Sequence, residues 1–330
     1  MHFTVAARFL SAQSRRRFRV QLLRWFDREK RALPWRGETD PYRILVSEVM
    51  LQQTRVAVVK ERYRKFLRQF PSVLRLAAAK EDSVLAAWSG LGYYRRARAL
   101  YAAARSVQDH GSFPRSAAGL MQLPGIGRYT AAAVASIAFG EPVAVVDGNV
   151  KRVLERLSGR EFSSNDYWQA AQELLEKRRP GDFNQALMEL GATVCLPGQP
   201  VCGRCPVTRF CASRGAPGKN ASTQPARKKA TLSCLLACRK GAILLRQRPP
   251  DVSLMPGMWE LPQLESDRTA NGSPILRLRH SITTTDYAVN VFTGSKGRIR
   301  SGSWVNRDGV NDLPLTGLTR KILRKLELLR

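Results

Sequence analysis

The sequence predicts two domains: an all-α domain over residues 18–215 and a smaller α+β domain over residues 231–330. Three observations lead to this division. The 330 residues exceed what one compact core usually holds. The first 215 residues show no alternation of strand and helix patterns of the kind that builds a parallel sheet. Residues 216–230 have the composition of a linker, and residues 1–17 form a basic extension ahead of the helical domain.

The helical domain is predicted from apolar residues that recur at helical spacing, with Pro and Gly between the segments. Phe18, Leu22 and Phe26 share one face of the first helix, which suits packing on a core. Pro71 separates two later helices, and Gly111 is placed to end another. The predicted helices cover residues 15–31, 42–59, 60–70, 81–88, 97–110, 117–123, 128–139, 150–157, 165–177 and 183–193.

The second domain is predicted from a change of pattern beyond the linker. Apolar residues there alternate as in strands, over residues 232–237 and 242–246, around a turn at Arg239-Lys240-Gly241. Further strands are predicted over residues 287–292 and 303–305. A final basic helix over residues 316–329 makes this half α+β.

The chain is strongly basic, with 55 Lys and Arg against 26 Asp and Glu and a formal net charge of +29. This excess predicts a polyanionic partner, most simply nucleic acid, while a generally arginine-rich composition is the other explanation. No apolar run approaches the roughly 20 residues of a membrane-spanning helix. The first residues have no clean secretory signal pattern. We therefore expect a soluble, cytoplasmic protein without a membrane partner.

The helical domain is organised around residues 123–147. The turn Pro124-Gly125-Ile126-Gly127 joins two short apolar helices, and its glycines permit backbone angles and close approaches that other residues resist. Its free amides and the N-terminus of the second helix form an anion site that suits a DNA phosphate. Asp147 follows twenty residues later and precedes the next helix. Asp147 is a candidate catalyst, but a simple turn and a simple helix cap are the alternatives.

Glu48 lies among apolar residues within predicted helix 42–59. A buried carboxyl is costly unless it is paired, protonated or used in chemistry. Burial raises the pKa of a carboxyl, and a general acid near neutral pH needs such a raised pKa. The alternative is an ordinary glutamate on the exposed side of a helix.

The loop over residues 90–98 is a second candidate surface for nucleic acid. It combines glycines, two tyrosines and three arginines. Arginines neutralise phosphates, and an aromatic residue such as Tyr93 can stack on bases or wedge between them. From the residues alone, tyrosines that merely cover the core are an equal alternative.

Four of the six cysteines lie close together as Cys195, Cys202, Cys205 and Cys211, with the spacing C-x6-C-x2-C-x5-C. Four crowded thiolates in a large intracellular chain favour a metal site over disulfides. One tetrahedral ion or one cubane cluster fits this number of ligands. The spacing is poor for zinc and matches neither common ferredoxin pattern, so the residues favour iron–sulfur without settling it.

Several of these motifs resemble a known family. LPGIGRYTA at residues 123–131, followed by VVDGNVKRVL at residues 145–154, resembles the helix-hairpin-helix and catalytic-aspartate segment of the base-excision DNA glycosylases of the endonuclease III superfamily. LPWR at residues 33–36, SEVMLQQT at residues 47–54 and the loop at residues 90–96 are similar to motifs of the adenine-specific MutY family, in the same order. The cysteine spacing is similar to that family's [4Fe–4S] loop. The resemblance is close in the helical domain and loose in the C-terminal one.

The resemblance implies a monofunctional adenine DNA glycosylase of base excision repair, which flips and excises adenine mispaired with 8-oxoguanine or guanine and leaves an abasic site. Glu48 is then expected to protonate N7 of adenine, and Asp147 to stabilise the resulting sugar cation. Tyr129 and Asn149 are expected to orient Asp147 and the attacking water. Bifunctional relatives carry a lysine where this chain has Tyr129, so strand cleavage is not expected. Lys151 is a nearby amine for weak lyase activity.

The resemblance also implies which residues contact DNA, with the protein acting as a monomer on double-stranded DNA that contains A opposite 8-oxoguanine or guanine. The expected contacts are Trp35, Arg36 and Leu51 in the wall of the adenine pocket, Gln53 and Tyr93 at the opposite base, and Gly125, Gly127 and Lys151 at the DNA. Cys195, Cys202, Cys205 and Cys211 are expected to hold a [4Fe–4S] cluster.

The C-terminal domain resembles Nudix folds and is expected to recognise 8-oxoguanine. Residues 254–262 (LMPGMWELP) are similar to a loop of that domain, and residues 279–284 align with its recognition loop. In this loop Thr283 keeps a hydroxyl that can contact the lesion, while Thr284 replaces a histidine that is frequent in the family.

Three alternatives remain open at this point. One is an oxidised-pyrimidine glycosylase/lyase of the endonuclease III type, which Tyr129 and the second domain disfavour. Another is a non-catalytic iron–sulfur DNA-binding protein, which the presence of both Glu48 and Asp147 disfavours. The third is a nucleotide-pool hydrolase in the C-terminal half, which the missing glutamate-rich Nudix helix disfavours.

Overall fold

The structure is a computed structural model of the chain that describes residues 9–214, 227–264, 272–294 and 302–329. Most of the predicted linker (residues 216–226) and the first eight residues of the predicted extension lie outside the described residues. Packing divides the chain into two units: Met1–Ala77 with Ala99–Thr223, and Ala78–Arg98 with Gln224–Arg330. A helical segment thus groups with the C-terminal residues, while the domain limits expected from the sequence stay a prediction.

The described part of the first 214 residues is helical, as the sequence predicts. Ser11, Asp40, Asp147 and Ser163 each cap a helix by accepting a hydrogen bond from a backbone N–H. None of the described helices is both long and apolar enough to cross a membrane. The helices are α1 (Ala12–Glu29), α2 (Pro41–Leu51), α3 (Val56–Gln69), α4 (Val73–Ala77), α5 (Glu81–Ala87), α6 (Arg95–His110), α7 (Ala117–Leu120), α8 (Arg128–Ala138), α9 (Gly148–Ser158), α10 (Ser164–Leu174) and α11 (Pro180–Thr193).

The prediction of one helix over residues 42–59 is wrong. Helix α2 ends at Leu51, and α3 begins only at Val56. Between them Gln53 has a φ of 54°, a left-handed backbone that cannot continue a right-handed helix. The sequence pattern did not reveal this break, and it also missed the short helix α4.

The main core of the first unit joins α1 to α9, α10 and α11. Phe18 of α1 is fully buried and meets Phe183 at 6.3 Å and Phe210 at 5.9 Å between ring centroids, both edge-on. A smaller cluster of Ala132, Ala133 and Val145 packs against Tyr129. The small side chains on α8 let it approach α2 closely, so that side chains from both helices meet at the site described below.

The second unit contains two small sheets covered by one helix. The strands and the helix are β1 (Lys228–Leu236), β2 (Cys238–Arg239), β3 (Ala242–Gln247), β4 (Trp259–Glu260), β5 (Leu276–Ile282), β6 (Thr285–Thr293), β7 (Ser303–Asn306) and α12 (Gly317–Lys325). Strand β6 lies between β1, which is parallel to it, and β5, which is antiparallel. Strand β3 pairs antiparallel with β2, β4 and β7. Leu318, Ile322 and Leu323 of α12 share a core with both sheets.

The expected loop over residues 279–284 is mostly strand. Strand β5 runs to Ile282, which pairs with Thr285 of β6, so only Thr283 and Thr284 form the turn. Half-buried and exposed residues alternate along β5, and the exposed ones include Arg277 and Arg279. This alternation is the pattern of a half-buried strand, and the assignment of these residues to a loop overlooked it.

Candidate active site

Glu48 lies on α2 with only 6% of its surface exposed, as its apolar neighbours in the sequence predict. Its Oε2 accepts a hydrogen bond of 2.7 Å from the hydroxyl of Tyr129 on α8. Burial raises the pKa of Glu48 to about 7, and the negative charge of Asp147 acts in the same direction. The Tyr129 hydrogen bond and the positive charge of Arg36 oppose this rise. Glu48 can therefore hold or give a proton near neutral pH.

Tyr129 lies between Glu48 and Met188 in the same buried space. Its hydroxyl is also 3.5 Å from the sulfur of Met188. Burial is the first cause that raises the pKa of Tyr129 well above its usual value, followed by the charges of Glu48 and Asp147. The phenol therefore remains protonated and acts as a donor to the carboxyl.

Asp147 is the N-cap of α9, so the simple helix-cap interpretation of this residue holds. Its Oδ1 accepts a 2.7 Å hydrogen bond from the backbone N–H of Val150. Its Oδ2 accepts a 2.9 Å hydrogen bond from the side-chain amide of Asn149. These bonds fix the orientation of the carboxylate, and its charge acts on both Glu48 and Tyr129. Capping and a role in chemistry are compatible, because the cap holds the carboxylate in place.

Arg152, which the sequence did not indicate, connects this group to the cysteine segment. Its Nη2 donates to Oδ1 of Asn149 and to the carbonyl of Gly191, each at 2.8 Å. Its Nε donates to the carbonyl of Cys195 at 2.8 Å. Gly191 is needed here, because a Cβ at that position would lie 2.6 Å from Cβ of Asn149. A chain of side-chain contacts thus joins Asp147 to the first cysteine.

A second buried network surrounds Arg36. Its Nη2 donates to Oε2 of Glu189 at 2.6 Å, and its Nη1 donates to Gln185. Glu189 is 2% exposed and also binds Arg31 through both carboxylate oxygens. The Nε of Arg36 is buried and has no hydrogen-bond partner among the described residues. The sequence analysis indicated Arg36 but neither Gln185 nor Glu189, although Glu189 lies among apolar residues as Glu48 does.

The other residues expected at the adenine pocket lie on the same unit. Trp35 is 7% exposed, and its ring meets Tyr63 edge-on at 5.5 Å between centroids. Leu51 is partly buried at the end of α2. Hydrogen bonds join Glu48 to Tyr129 and Asp147 to Asn149, and the charge of Asp147 acts on the first pair. Trp35 precedes Arg36, whose charge acts on Glu48. Lys151 is exposed, with its amine 5.2 Å from the ring centroid of Tyr167.

The two hairpin glycines differ. Gly125 has a φ of 72°, and a Cβ there would lie 2.4 Å from Cβ of Ala99. The left-handed backbone and the close approach both require a glycine at this position. Gly127 has an ordinary φ of −86°, and a Cβ there would meet nothing within 4 Å in the protein. The expected unusual backbone angle is wrong for Gly127, while the close approach of a DNA phosphate stays a prediction. Gly127 is the N-cap of α8, and no side chain caps that helix. The amides of the first turn are thus left for an anion.

Three residues expected at the DNA share an unusual backbone. Among the described residues seven non-glycine residues have positive φ, and Gln53 (54°), Tyr93 (48°) and Thr283 (49°) are three of them. All three are exposed, Tyr93 to 54%. Such conformations cost free energy and tend to occur at functional sites. Thr283 uses its hydroxyl to donate to the carbonyl of Ile282 at 2.8 Å.

The four clustered cysteines line one cavity, together with Arg156. Burial is the first cause that raises the pKa of Cys205 to about 11, and the charges of the other three cysteines add to the rise. The guanidinium of Arg156 donates to Sγ of Cys195 at 3.3 Å. Within the described residues no group of three or more His, Cys, Asp or Glu is arranged to hold a single metal ion.

Comparisons with known proteins agree with this geometry. A profile described as HhH-GPD superfamily base excision DNA repair protein matches residues 46–180, which include Glu48, Tyr129 and Asp147. A solved thermostable thymine-DNA glycosylase is 31% identical over 61% of this chain and 97% of its own, with a TM-score of 0.57. The chain belongs to the HhH-GPD superfamily.

Two further proteins are similar to this chain. A solved covalent intermediate of endonuclease III trapped on DNA is 25% identical over 62% of this chain and 97% of its own, with a TM-score of 0.54. The adenine DNA glycosylase of Homo sapiens is 39% identical over 345 residues, which cover 80% of this chain and 63% of that protein. The chain therefore spans less than two thirds of the length of this curated relative.

Proposed function

We propose that the protein is a monofunctional adenine DNA glycosylase of base excision repair. The observation that carries the proposal is the group of Glu48, Tyr129 and Asp147. The buried carboxyl of Glu48 has a pKa raised to about 7, and it feels the charge of a second carboxylate, Asp147, which is fixed as a helix cap. Two carboxyl groups held in different environments are what hydrolysis of a glycosidic bond requires. The similarity to adenine DNA glycosylases supports adenine as the excised base.

Glu48 acts as the general acid in this proposal. Adenine is a poor leaving group as an anion, so the neutral carboxyl of Glu48 gives its proton to N7 of the flipped base. The bond between C1′ and N9 then breaks, and its electron pair leaves with the neutral adenine. Tyr129 stabilises the carboxylate that remains on Glu48, because its hydroxyl donates to Oε2.

Asp147 acts on the sugar. Bond cleavage leaves a cationic deoxyribose, which the carboxylate of Asp147 stabilises by its charge or by a transient bond to C1′. Water then attacks C1′ and gives a proton to the Glu48 carboxylate. This step leaves an abasic site in the DNA and restores the acid form of Glu48. Asn149 holds Asp147 in place through its amide. Because Tyr129 supplies no amine, the DNA strand remains intact.

The proposed DNA contacts follow from the exposed loops. Gln53 and Tyr93 enter the duplex at the base opposite adenine, and the open amides after Gly127 bind a phosphate. Trp35, Arg36 and Leu51 form the adenine pocket, and Lys151 adds positive charge at the backbone. In a Nudix-like C-terminal domain Thr283 contacts 8-oxoguanine. A net charge of +29 supports this polyanionic partner.

A [4Fe–4S] cluster fits the cysteine segment. Cys195, Cys202, Cys205 and Cys211 line one cavity without the convergence that a single ion needs, and Arg156 offers an N–H to one sulfur. When bound, such a cluster ties the segment together and can exchange one electron. The proposal predicts iron and sulfide in a 1:1 ratio in protein purified without oxygen.

The test is a single-turnover assay on duplexes with A opposite 8-oxoguanine and A opposite G, read with and without alkali. We expect strand breaks only after alkali, and faster reaction opposite 8-oxoguanine. Glu48→Gln and Asp147→Asn should bind the duplex but release no adenine. Breaks without alkali would support the endonuclease III-type lyase instead. No reaction with either duplex would support a non-catalytic DNA-binding protein and reject the proposal.

A further inference from the structure

The loop that carries Tyr93 is held in a strained shape. Tyr93 has a φ of 48° although it is a bulky residue, and Gly90 and Gly92, which precede it, have φ values of 93° and 69°. Its ring is 54% exposed. A left-handed backbone at a bulky residue persists only where surrounding contacts enforce it. The contacts that enforce it therefore determine where Tyr93 lies.

Arg96 holds the loop from inside. It is 8% exposed, and its Nη2 donates to the carbonyls of Leu91 and Gly92 at 3.0 and 3.1 Å. Its guanidinium lies 5.5 Å from the ring centroids of both Trp88 and Tyr93. The indole N–H of Trp88 also donates to the carbonyl of Gly92 at 3.1 Å. These bonds join the loop to Trp88 and Arg96, which lie at its two ends.

Tyr94 and Arg98 attach this loop to the C-terminal part of its own unit. The hydroxyl of Tyr94, which is 5% exposed, donates to the carbonyl of Leu315 at 3.3 Å. The Nη2 of Arg98 donates to the carbonyl of Pro256 at 2.8 Å, while its Nε binds Glu81 at 2.6 Å. Both acceptors come from the C-terminal residues, more than 150 positions away in the chain.

The acceptors themselves are firmly held. Leu315 is fully buried and forms a bridge with Trp259 of β4. The loop that contains Pro256 is fixed by Arg248, whose Nε donates to the carbonyl of Leu254 at 2.9 Å and whose carbonyl accepts from Gly257 at 3.1 Å. The strands thus provide a rigid support for the two anchors.

We propose that Tyr94 and Arg98 are positioning residues, through which the C-terminal strands hold Tyr93 ready for insertion into the duplex. This inference rests on the proposed function, because it takes Tyr93 as the residue that enters the DNA. Loss of either anchor lets the strained loop relax. In a fraction of the protein–DNA complexes the ring of Tyr93 is then not inserted into the duplex. The C-terminal domain therefore acts on the glycosylase step even where it makes no contact with the lesion.

The experiment compares Tyr94→Phe and Arg98→Met with matched controls. Tyr42→Phe on helix α2 removes the same kind of hydrogen bond. In the parent protein the buried hydroxyl of Tyr42 donates to the carbonyl of Phe70 at 2.7 Å. Glu81→Gln removes the ion pair of Arg98 but leaves its bond to Pro256. The duplex carries 2-aminopurine beside the base opposite adenine, and its fluorescence rises when insertion unstacks it. Excision rate under single turnover, duplex affinity and thermal unfolding are measured in parallel.

We expect Tyr94→Phe and Arg98→Met each to lower the fluorescence rise and the excision rate about three- to ten-fold. This is the size of effect expected when one hydrogen bond is lost. Arg98→Lys should restore part of both signals, and the two controls should keep them. The same loss in Tyr42→Phe, or full signals in both anchor variants, overturns the inference. If Tyr93→Ala also keeps the full fluorescence rise while adenine is still excised, Tyr93 is not the inserted residue, and the inference fails while the proposed activity stands.

Discussion

Asn149 bridges Asp147 and Arg152. Its Nδ2 donates to Oδ2 of Asp147 at 2.9 Å, and its Oδ1 accepts from Nη2 of Arg152 at 2.8 Å. Arg152 in turn donates to the carbonyl of Cys195. The amide orientation of Asn149 is therefore set from both sides, and the carboxylate of Asp147 depends on a residue that itself rests on the cysteine segment.

Replacing Arg152 tests this dependence. We expect Arg152→Gln to lower the single-turnover excision rate about 10- to 100-fold, because Asn149 loses the partner that fixes its amide. Duplex affinity should change little. Arg75→Gln, at an exposed position of α4, is the control for the loss of one positive charge. Equal rates for the two variants would show that Arg152 has no role in orienting Asp147.

The pH dependence of excision should follow Glu48. The acid is protonated below its pKa of about 7, so we expect the excision rate to fall about ten-fold per pH unit above that value. In Tyr129→Phe the hydrogen bond that lowers this pKa is lost. The falling limb should then move to higher pH by about one unit. A limb that stays in place in rate–pH profiles of both proteins would assign the titration to another group.

Glu48 should also lower stability at neutral and alkaline pH. Its pKa rises from 4.5 to about 7 on folding, so the unfolded chain releases this proton at lower pH than the folded protein. The contribution of Glu48 to the free energy of unfolding is fully present below pH 4.5. It is lost as the pH rises through about 7, the pKa of Glu48 in the folded protein. Glu48→Gln is neutral at every pH, so we expect it to be more stable than the parent at pH 8 by about 3 kcal/mol.

Urea unfolding at the two ends of this pH range measures the difference. At acid pH Glu48→Gln and the parent should unfold at similar urea concentrations, since both side chains are then neutral. A stability gain that does not depend on pH would mean that the substitution acts through packing and not through the charge of Glu48.

The hairpin glycines form a matched pair. Gly125→Ala should destabilise the fold by about 2–4 kcal/mol, because the backbone is left-handed and the new Cβ meets Ala99. Gly127→Ala should destabilise the fold by less than about 1 kcal/mol, since its φ is ordinary and the space is open, and the only cost is that alanine is a poorer N-cap than glycine. If a phosphate approaches these amides, Gly127→Ala should instead weaken duplex binding several-fold. Unfolding and binding titrations separate the two effects, and unchanged binding in Gly127→Ala would place the phosphate elsewhere.

Part of the site could be predicted because its signals are local. The apolar neighbours of Glu48 indicated its burial, and the position of Asp147 before an amphipathic helix indicated that it caps this helix. Arg152 and Gln185 gave no such signal, and the apolar neighbours of Glu189 could have indicated its burial but were not used. What these residues bind became visible only in the structure, where their partners include residues 39 to 158 positions away.

The sequence by itself determined the helical first part, most helix ends and the grouping of the four cysteines, because capping, glycine geometry and short spacing act between near neighbours. Only the tertiary structure decided that α2 stops before Gln53 and that Tyr94 and Arg98 join a helical segment to distant C-terminal residues. Those outcomes depend on contacts between residues far apart in the chain, such as Tyr94 and Leu315, which are 221 positions apart. Packing alone brings such residues together, and no local pattern encodes it.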